Sequence, residues 1–206
     1  MAQVRIAVLG AGNIGGTLGR KWIDAGHQVV FGVSDPNGAK AQALKADLGE
    51  KADIRDAATA IQGAEVVVFA IPGTAIEATV SANAAALDGK LVIDAANKMG
   101  SGGPADSYAV FQQHTPNARY VRAFNALGWE NFADPQFGDI QADLFYAGPE
   151  ADRATTDELI ANIGLRPVWL GGSDQVGLVD SLLSLWFALA VGQHKGRHLA
   201  FKMLTR

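Results

Sequence analysis

The sequence predicts an α/β fold in which a doubly wound parallel sheet is followed by a small C-terminal α+β extension. Apolar runs of strand length alternate with helix-like segments over about the first 126 of the 206 residues, a pattern typical of right-handed β–α–β crossovers. The run "EVVVFAIP" at 65–72 is nearly continuous, as expected of a parallel strand that is covered on both faces. The glycine-rich "GAGNIG" follows the first run and opens a helix-like segment, which makes the predicted sheet Rossmann-type.

The boundaries of the predicted elements follow from the apolar runs and the turn formers between them. The predicted strands of the N-terminal domain, 1–126, are 4–10, 28–33, 65–72, 90–97 and 118–127, with helices at 14–25, 38–48, 74–87 and 107–114. After residue 126 the stretch "GWENFADPQFGD" predicts an irregular loop. The rest of the C-terminal part, 127–206, is predicted to contain strands at 142–148 and 166–171 and helices at 150–163 and 173–191.

Composition and charge argue against several classes of function. The net charge of −4 is the wrong sign for a nucleic-acid-binding protein, which needs clustered Lys and Arg. The chain has no cysteine, so it has no disulfide and no thiolate nucleophile. The apolar run Leu182–Val191 is too short to cross a bilayer core of roughly 30 Å, and "MAQVRIAVLGAG" lacks the pattern of a signal peptide. We therefore expect a cytoplasmic protein that binds neither nucleic acid nor membrane.

The histidine spacing near the C-terminus does not predict a metal site. His194 and His198 are four residues apart, which could place two ligands on one helix face. Gly192 and Gly196 interrupt that helix, and no nearby Asp, Glu or Cys completes a ligand set. We interpret "HKGRH" as a solvated basic segment and predict no metal.

The glycine spacing near the N-terminus predicts dinucleotide binding. Gly10 permits a tight turn, Gly12 lets the backbone approach a diphosphate, and Gly15 lets the helix pack closely on the strand. The N-terminus of the following helix directs its N–H groups at the phosphates. The alternative is a tight strand–helix turn that binds nothing.

The tip of the second strand bears on which dinucleotide is held. An NAD site usually has Asp or Glu there, but Val33 occupies the tip and Asp35 lies two residues further on. The missing acid favours NADP, although the Arg expected for a 2′-phosphate is replaced by Ser34. Ser34, neighbouring N–H groups and Lys40 could bind that phosphate. Lys40 could equally be a solvated helix residue, and NAD(H) stays possible.

Several motifs together resemble the coenzyme F420-dependent NADP oxidoreductases and the wider group of NADPH:flavin reductase-like proteins. They are "VLGAGNIGGTLGRKWIDAGHQVVFG", "AIP", "VIDAAN", "VRAFNALGWENFADP" and "GLRPVWLGG", which span nearly the whole chain. The resemblance implies an NAD(P)-binding Rossmann domain over 1–126 and a small part over 127–206 that forms the acceptor cleft. It also implies a homodimer and a flavin or deazaflavin (F420) as the hydride partner.

The resemblance carries a set of cofactor-binding positions onto this sequence. The implied residues at the diphosphate, the 2′ position, the nicotinamide side and the floor of the acceptor site are Gly10, Ala11, Asn13, Ile14, Val33, Ser34, Ala70, Ile71, Pro72, Ala96, Asn97, Asn125, Ala126 and Leu127. Gly12, Gly15 and Lys40, which follow from the residues themselves as given above, complete the predicted cofactor-binding set. The chain departs from the family pattern at Val33–Ser34, where the family commonly has an arginine. It departs again at Gly73, where a large aromatic is frequent and a glycine would leave more room over the cofactor.

Hydride transfer between two ring systems depends mainly on positioning, so the lack of an obvious nucleophile–base pair does not argue against an enzyme. The candidate catalytic groups are the side-chain amides of Asn97 and Asn125, each of which could instead cap a strand end. Two alternatives remain: a reductase of a small imine or carbonyl substrate, and a non-catalytic NADP(H)-sensing module.

Aromatic and apolar residues of the C-terminal part suggest further contacts. Trp129, Phe132 and Phe137 could form a wall for a flat acceptor, or could instead pack against the last helix or form a dimer contact. That helix, "VGLVDSLLSLWFALAVG", is apolar almost all round and predicts burial in a core or a dimer contact. Within it, Leu182, Leu185, Trp186 and Leu189 are predicted to belong to the core rather than to a flavin pocket.

Overall fold

The computed structural model describes residues 3–100 and 102–206. The described chain divides into two compact units at Tyr120 and Val121, whereas the sequence placed a boundary at residue 126. Met1, Ala2 and Ser101 lie outside the described residues, so the expectation drawn from the first residues of the chain, that no leader is present, stays untested.

A six-stranded sheet organises the N-terminal part of the molecule. Its strands are β1 (Arg5–Leu9), β2 (Gln28–Val33), β3 (Asp53–Asp56), β4 (Val66–Phe69), β5 (Leu91–Asp94) and β6 (Arg119–Arg122). They lie in the order β3-β2-β1-β4-β5-β6, and β1 pairs in parallel with both β2 and β4. This is the strand order of a Rossmann fold, so the predicted fold class is confirmed.

Helices in the crossovers cover the sheet. They are α1 (Asn13–Asp24), α2 (Ala39–Leu48), α3 (Ala57–Gln62), α4 (Ile76–Ala82), α5 (Ala84–Leu87) and α6 (Tyr108–His114). Leu18 and Trp22 of α1 are fully buried, as their spacing on one helix face requires. The single helix predicted over 74–87 is wrong in one respect: it breaks at Asn83, whose side-chain amide donates to the Thr79 carbonyl at 2.8 Å.

One strand and one helix of this unit were not predicted. The strand β3 reads "DIRD" and is exposed at three of its four positions, because it forms the edge of the sheet and buries almost nothing. Without an apolar run it gives no strand signal. The short helix α3 follows at once, and the Asp56 side chain caps it by accepting from the Thr59 backbone N–H at 2.9 Å.

The second unit contains a small parallel sheet of its own. β9 (Asp143–Tyr146) and β10 (Arg166–Trp169) pair in parallel, and the crossover between them contains α8 (Arg153–Ile163). The predicted irregular loop instead contains α7 (Glu130–Ala133) and a hairpin of β7 (Gln136–Phe137) and β8 (Ile140–Gln141). Phe132 of α7 is buried edge-on against Phe124, whereas Phe137 of the hairpin is exposed.

The buried carboxylate of Asp143 ties the end of the chain to β9. It accepts two hydrogen bonds from the Arg166 guanidinium, at 2.7 and 2.6 Å, and one each from Lys202 Nζ at 3.0 Å and the Met203 backbone N–H at 2.7 Å. Burial alone would raise the pKa of Asp143, but these donors outweigh it and hold the pKa below its usual range.

The last helix, α9 (Val176–Phe187), continues through a π-helical turn to Gly192. Val179, Leu183 and Trp186 are buried, but Leu185 is 46% exposed, so its predicted place in the core is wrong. The apolar run Leu182–Val191 belongs to a longer helical stretch, Ser173–Gly192, which has 20 residues and a mean hydropathy of 1.5. That stretch is long and apolar enough to cross a membrane by length and composition alone, a property that apolar core helices of soluble proteins share.

Candidate functional site

A cavity of about 630 Å³ lies at the carboxyl ends of β1, β2 and β4 in the first unit. The strand order reverses at this point, because β1 has β2 on one side and β4 on the other. Ligands of doubly wound folds bind in such a crevice. The residues that line this cavity and were predicted from the sequence are Gly10, Ala11, Gly12, Val33, Ser34, Lys40, Ala70, Ile71 and Pro72.

The glycine loop forms one wall of the cavity, and its three glycines meet different demands. A Cβ on Gly10 would lie 2.4 Å from the Ala70 carbonyl oxygen, and one on Gly15 would lie 2.1 Å from the Gly10 carbonyl oxygen. Gly10 also has a φ of 107°, which favours glycine. A Cβ on Gly12 would meet nothing within 4 Å. The loop is therefore packed tightly on the protein side and open at Gly12, as close approach of a diphosphate requires.

The remaining predicted residues of this loop belong to the start of α1. Asn13 and Ile14 are its first two residues, and Gly15 follows. None of the three lines the cavity. Because the first N–H groups of a helix have no partner within the helix, this turn offers backbone donors to an anion at the loop.

The turn after β2 supplies the polar end of the cavity. Val33, Ser34, Asp35 and Lys40 all line it. Asp35, two residues beyond the strand tip, thus also lines the cavity, which the sequence did not establish. Asp35 Oδ1 accepts from the Asn37 backbone N–H at 3.0 Å, a hydrogen bond within an Asx turn. The helix α2 then begins at Ala39.

The turn after β4, Ala70–Pro72, forms the opposite wall and leads to Gly73. A Cβ on Gly73 would lie 2.5 Å from the Asn97 carbonyl oxygen and 2.8 Å from the Lys98 backbone nitrogen. The expectation that this glycine leaves room over the cofactor stays a prediction. Its missing side chain is required by the close approach of the Asn97–Lys98 backbone.

The turn after β5 contains the predicted residues Ala96 and Asn97, which do not line the cavity. A buried carboxylate that the sequence reasoning missed, Asp94, holds this turn. It accepts from the backbone N–H groups of Ala96 and Ser107, each at 3.0 Å, and from the Tyr120 hydroxyl at 2.7 Å. The sequence signal for this cluster was the acid at the end of the apolar strand "LVID". A carboxylate buried there needs several hydrogen-bond donors, so it indicates a buried polar cluster.

In the second unit, Asn125 is 3% exposed and belongs to a buried polar cluster. Its side-chain amide donates to Asp180 Oδ1 at 3.2 Å, and the fully buried Arg122 donates to the same oxygen through Nε at 2.9 Å. The residue before Asn125, Phe124, has a φ of 61°, which strains a bulky side chain. Sequence reasoning missed Arg122 and Asp180, because 58 residues separate them.

Ala126 and Leu127 line a void of about 10 Å³ in the second unit, together with Leu144, Leu182 and Phe201. That volume holds one water molecule at most, so this void takes no ring cofactor. Among residues 3–100 and 102–206, no group of three His, Cys, Asp or Glu side chains could hold a metal ion.

Comparison with known proteins agrees with this geometry. Residues 5–98 match the family model described as NADP oxidoreductase, coenzyme F420-dependent. A candidate F420-dependent NADP reductase from Arthrobacter sp. FB24 is 26% identical, with a TM-score of 0.84 over 98% of this chain and 100% of that one. A hypothetical protein from Sinorhizobium meliloti is also 26% identical, with a TM-score of 0.70 over 100% and 97% of the two chains.

A more distant similarity shows the fold alone. A reductive aminase from Aspergillus terreus, in complex with NADPH and ethyl levulinate, is 20% identical with a TM-score of 0.70, over 93% of this chain and 63% of that one. No curated protein matches the sequence. The family match over residues 5–98 confirms the resemblance drawn from the motifs and supports an NADP-dependent oxidoreductase.

Proposed function

Because residues 5–98 match the coenzyme F420-dependent NADP oxidoreductases, we propose that this protein transfers a hydride between NADP(H) and a flavin or deazaflavin such as F420. The observation that carries the proposal is the cavity of about 630 Å³ beside the glycine loop, at the reversal of strand order. The similarity to a candidate F420-dependent NADP reductase from Arthrobacter supports the deazaflavin among the acceptors.

The residues around this cavity fit a dinucleotide. The open face of Gly12 and the first N–H groups of α1 suit a diphosphate. Ser34 and Lys40 offer a hydroxyl and an ammonium group at the adenosine end. When bound, the nicotinamide supplies a hydride, which carries two electrons to the acceptor ring.

The proposed role of the chain is positioning. The apolar wall Ala70–Pro72 keeps water from the cofactor, and little acid–base help is needed for transfer between two rings. We propose that the side-chain amides of Asn97, in the first unit, and Asn125, in the second, each orient a reacting ring. The Asp180 carboxylate, which accepts from the Asn125 amide at 3.2 Å, then fixes the orientation of that amide.

Oxidation of NADPH and NADH at 340 nm, with F420, FMN, FAD and riboflavin offered in turn, tests this function. We expect turnover with NADPH and at least one of these acceptors. Binding of NADPH is measured separately by its fluorescence. NADPH binding without reduction of any flavin or F420 would contradict the proposal, and would favour a reductase of a small imine or carbonyl substrate or a sensing module.

Two variants test the proposed amides. Asn97→Ala and Asn125→Ala are expected to lower kcat at least tenfold, because misplaced rings lose much of the positioning effect. The matched control is Asn117→Ala, an exposed asparagine whose amide donates to Asp88. An effect no larger than that of the control would remove both residues from the site.

We also propose that the protein is a cytoplasmic homodimer. Only 28% of the most apolar 18-residue window within Ser173–Gly192 is buried, and Leu178, Leu185 and Val191 are each about half exposed. An apolar surface of this kind is typical of a contact between subunits. We propose that this helix contacts a second copy of the chain, and that the protein binds neither nucleic acid nor membrane.

A further inference from the structure

We infer that Asp35 determines the nucleotide selectivity of this protein, by opposing the 2′-phosphate of NADPH and giving NADH a carboxylate for its 2′-hydroxyl. The inference rests on the dinucleotide site of the proposed function, and it does not depend on the identity of the hydride acceptor. According to this inference, the dinucleotide site accepts NADH as well as NADPH.

The turn geometry fixes the Asp35 carboxylate at the cavity. Its Oδ1 accepts from the Asn37 backbone N–H at 3.0 Å, and its backbone carbonyl accepts from the Gly38 N–H at 3.1 Å. A Cβ on Gly38 would lie 3.0 Å from Asp35 Oδ2. The absence of a side chain at Gly38 therefore provides the space that the Asp35 carboxylate occupies. Asp35 is therefore held at the polar end of the cavity by its own turn.

The charges of the cavity lining do not favour a phosphate. Asp35 and Lys40 are the ionisable residues among those that line it, and their formal charges cancel. Selective 2′-phosphate sites usually carry an arginine, whereas a carboxylate at this place accepts a hydrogen bond from the ribose 2′-hydroxyl. Asp35 can accept from NADH, and it repels the extra phosphate of NADPH.

The expected size of the effect follows from Coulomb's law. Removing one charge at about 6 Å from a phosphate of charge about −2 changes the affinity about tenfold in a water-like dielectric. The side chains of Asp35 and Lys40 are exposed, so the dielectric constant of water is the appropriate one. Removing the Asp35 charge gives no such gain in affinity for a ligand that lacks a 2′-phosphate.

The test is the variant Asp35→Asn, whose amide oxygen can keep the hydrogen bond from Asn37. Titration calorimetry measures the Kd of 2′,5′-ADP, 5′-AMP, NADPH and NADH. We expect the ratio of the Kd of 5′-AMP to that of 2′,5′-ADP to rise about tenfold, and the NADH-to-NADPH ratio to rise equally. The matched control is Glu50→Gln, which removes the same charge at an exposed site outside the cavity lining.

A second pair of variants tests the opposite charge on the same helix. Lys40→Gln is expected to weaken 2′,5′-ADP several-fold more than 5′-AMP. Lys45→Gln, also exposed on α2 but outside the cavity lining, is expected to change neither. This comparison separates a local interaction from the net charge of the protein.

The outcomes are distinguishable from failure of the proposed reaction, because binding needs no acceptor. The inference is overturned if the ratio of the Kd of 5′-AMP to that of 2′,5′-ADP changes no more in Asp35→Asn than in Glu50→Gln. It is also overturned if Asp35→Asn gains the same affinity for 5′-AMP as for 2′,5′-ADP. If no acceptor is reduced but the ratio rises as expected, the selectivity stands and the acceptor chemistry fails. If none of the four ligands binds the wild-type protein, both fail.

Discussion

Gly12 and Gly15 are three residues apart in one loop, yet their surroundings differ completely. Gly15 has the Gly10 carbonyl oxygen where its Cβ would be, and Gly12 has open space. Sequence spacing identifies both as parts of one motif. The structure shows that Gly15 is packed against backbone, whereas a side chain at Gly12 would meet open space.

This difference predicts opposite phenotypes for two alanine substitutions. Gly12→Ala should raise the Kd of NADPH at least tenfold, because its methyl group would occupy the approach to the diphosphate. Its free energy of unfolding should fall by no more than about 1 kcal/mol, the scale of a changed helix N-cap. Gly15→Ala should lower that free energy by about 3 kcal/mol or more, because the clash is with backbone.

Urea denaturation and NADPH fluorescence measure the two quantities. Gly63→Ala is the control, since a Cβ there meets nothing within 4 Å and Gly63 lies outside the cavity lining. Equal loss of stability in Gly12→Ala and Gly15→Ala would contradict the assignment of separate roles.

Residue types and spacing predicted the glycine loop because the turn itself is formed by neighbouring residues of the chain. Asp35 was noticed in the sequence, but its place depends on an Asx turn that the residue order does not determine. The contact of Asn125 with Asp180 joins residues 55 apart in the chain. Such contacts depend on tertiary packing, which no local pattern encodes.

At the scale of elements, apolar strands were predictable and polar edges were not. The buried strands β4 and β5 consist of apolar runs, which the sequence placed correctly. The edge strand β3 and its following helix lack such a run. The hairpin β7–β8 has two-residue strands, too short for any periodicity to show.

The anchoring of the last residues on β9 gives a prediction about stability. Asp143→Asn should lower the free energy of unfolding at pH 7 by about 3 kcal/mol, because it leaves Arg166 and Lys202 without their buried anion. Urea denaturation measures this loss. Asp53→Asn, which breaks an exposed pair with Arg55, is the control and should cost at most about 1 kcal/mol.

The same carboxylate makes a pH-dependent contribution. Its pKa in the folded protein lies below the usual range, so its stabilisation is fully present above the unfolded value of about 3.9 and is lost as the pH falls through the folded value. The difference in unfolding free energy between wild type and Asp143→Asn should therefore shrink below about pH 4. A difference that stays constant down to pH 2 would contradict this origin.

At the scale of the whole molecule, the exposed face of α9 predicts the oligomeric state. Wild type should elute with twice the monomer mass of 21.5 kDa in size-exclusion chromatography with light scattering. Leu185→Asp should shift it to the monomer, because a buried unpaired charge is costly at an apolar contact. Ala154→Asp, at an exposed position of α8, should leave the mass unchanged. A monomeric wild type would contradict the proposed dimer.

The bonds around Asp143 also have a consequence for synthesis on the ribosome. Asp143 of β9 is made before two of its partners, Lys202 and Met203, which follow some 60 residues later. Until Lys202 and Met203 leave the exit tunnel, the Asp143 carboxylate, which is buried in the finished fold, lacks these two hydrogen-bond donors. The residues that line the nucleotide cavity all lie between Leu9 and Thr79, and N-terminal units generally fold first during translation. The nucleotide cavity should therefore be complete, and able to bind its ligand, while the remainder of the chain is still being translated.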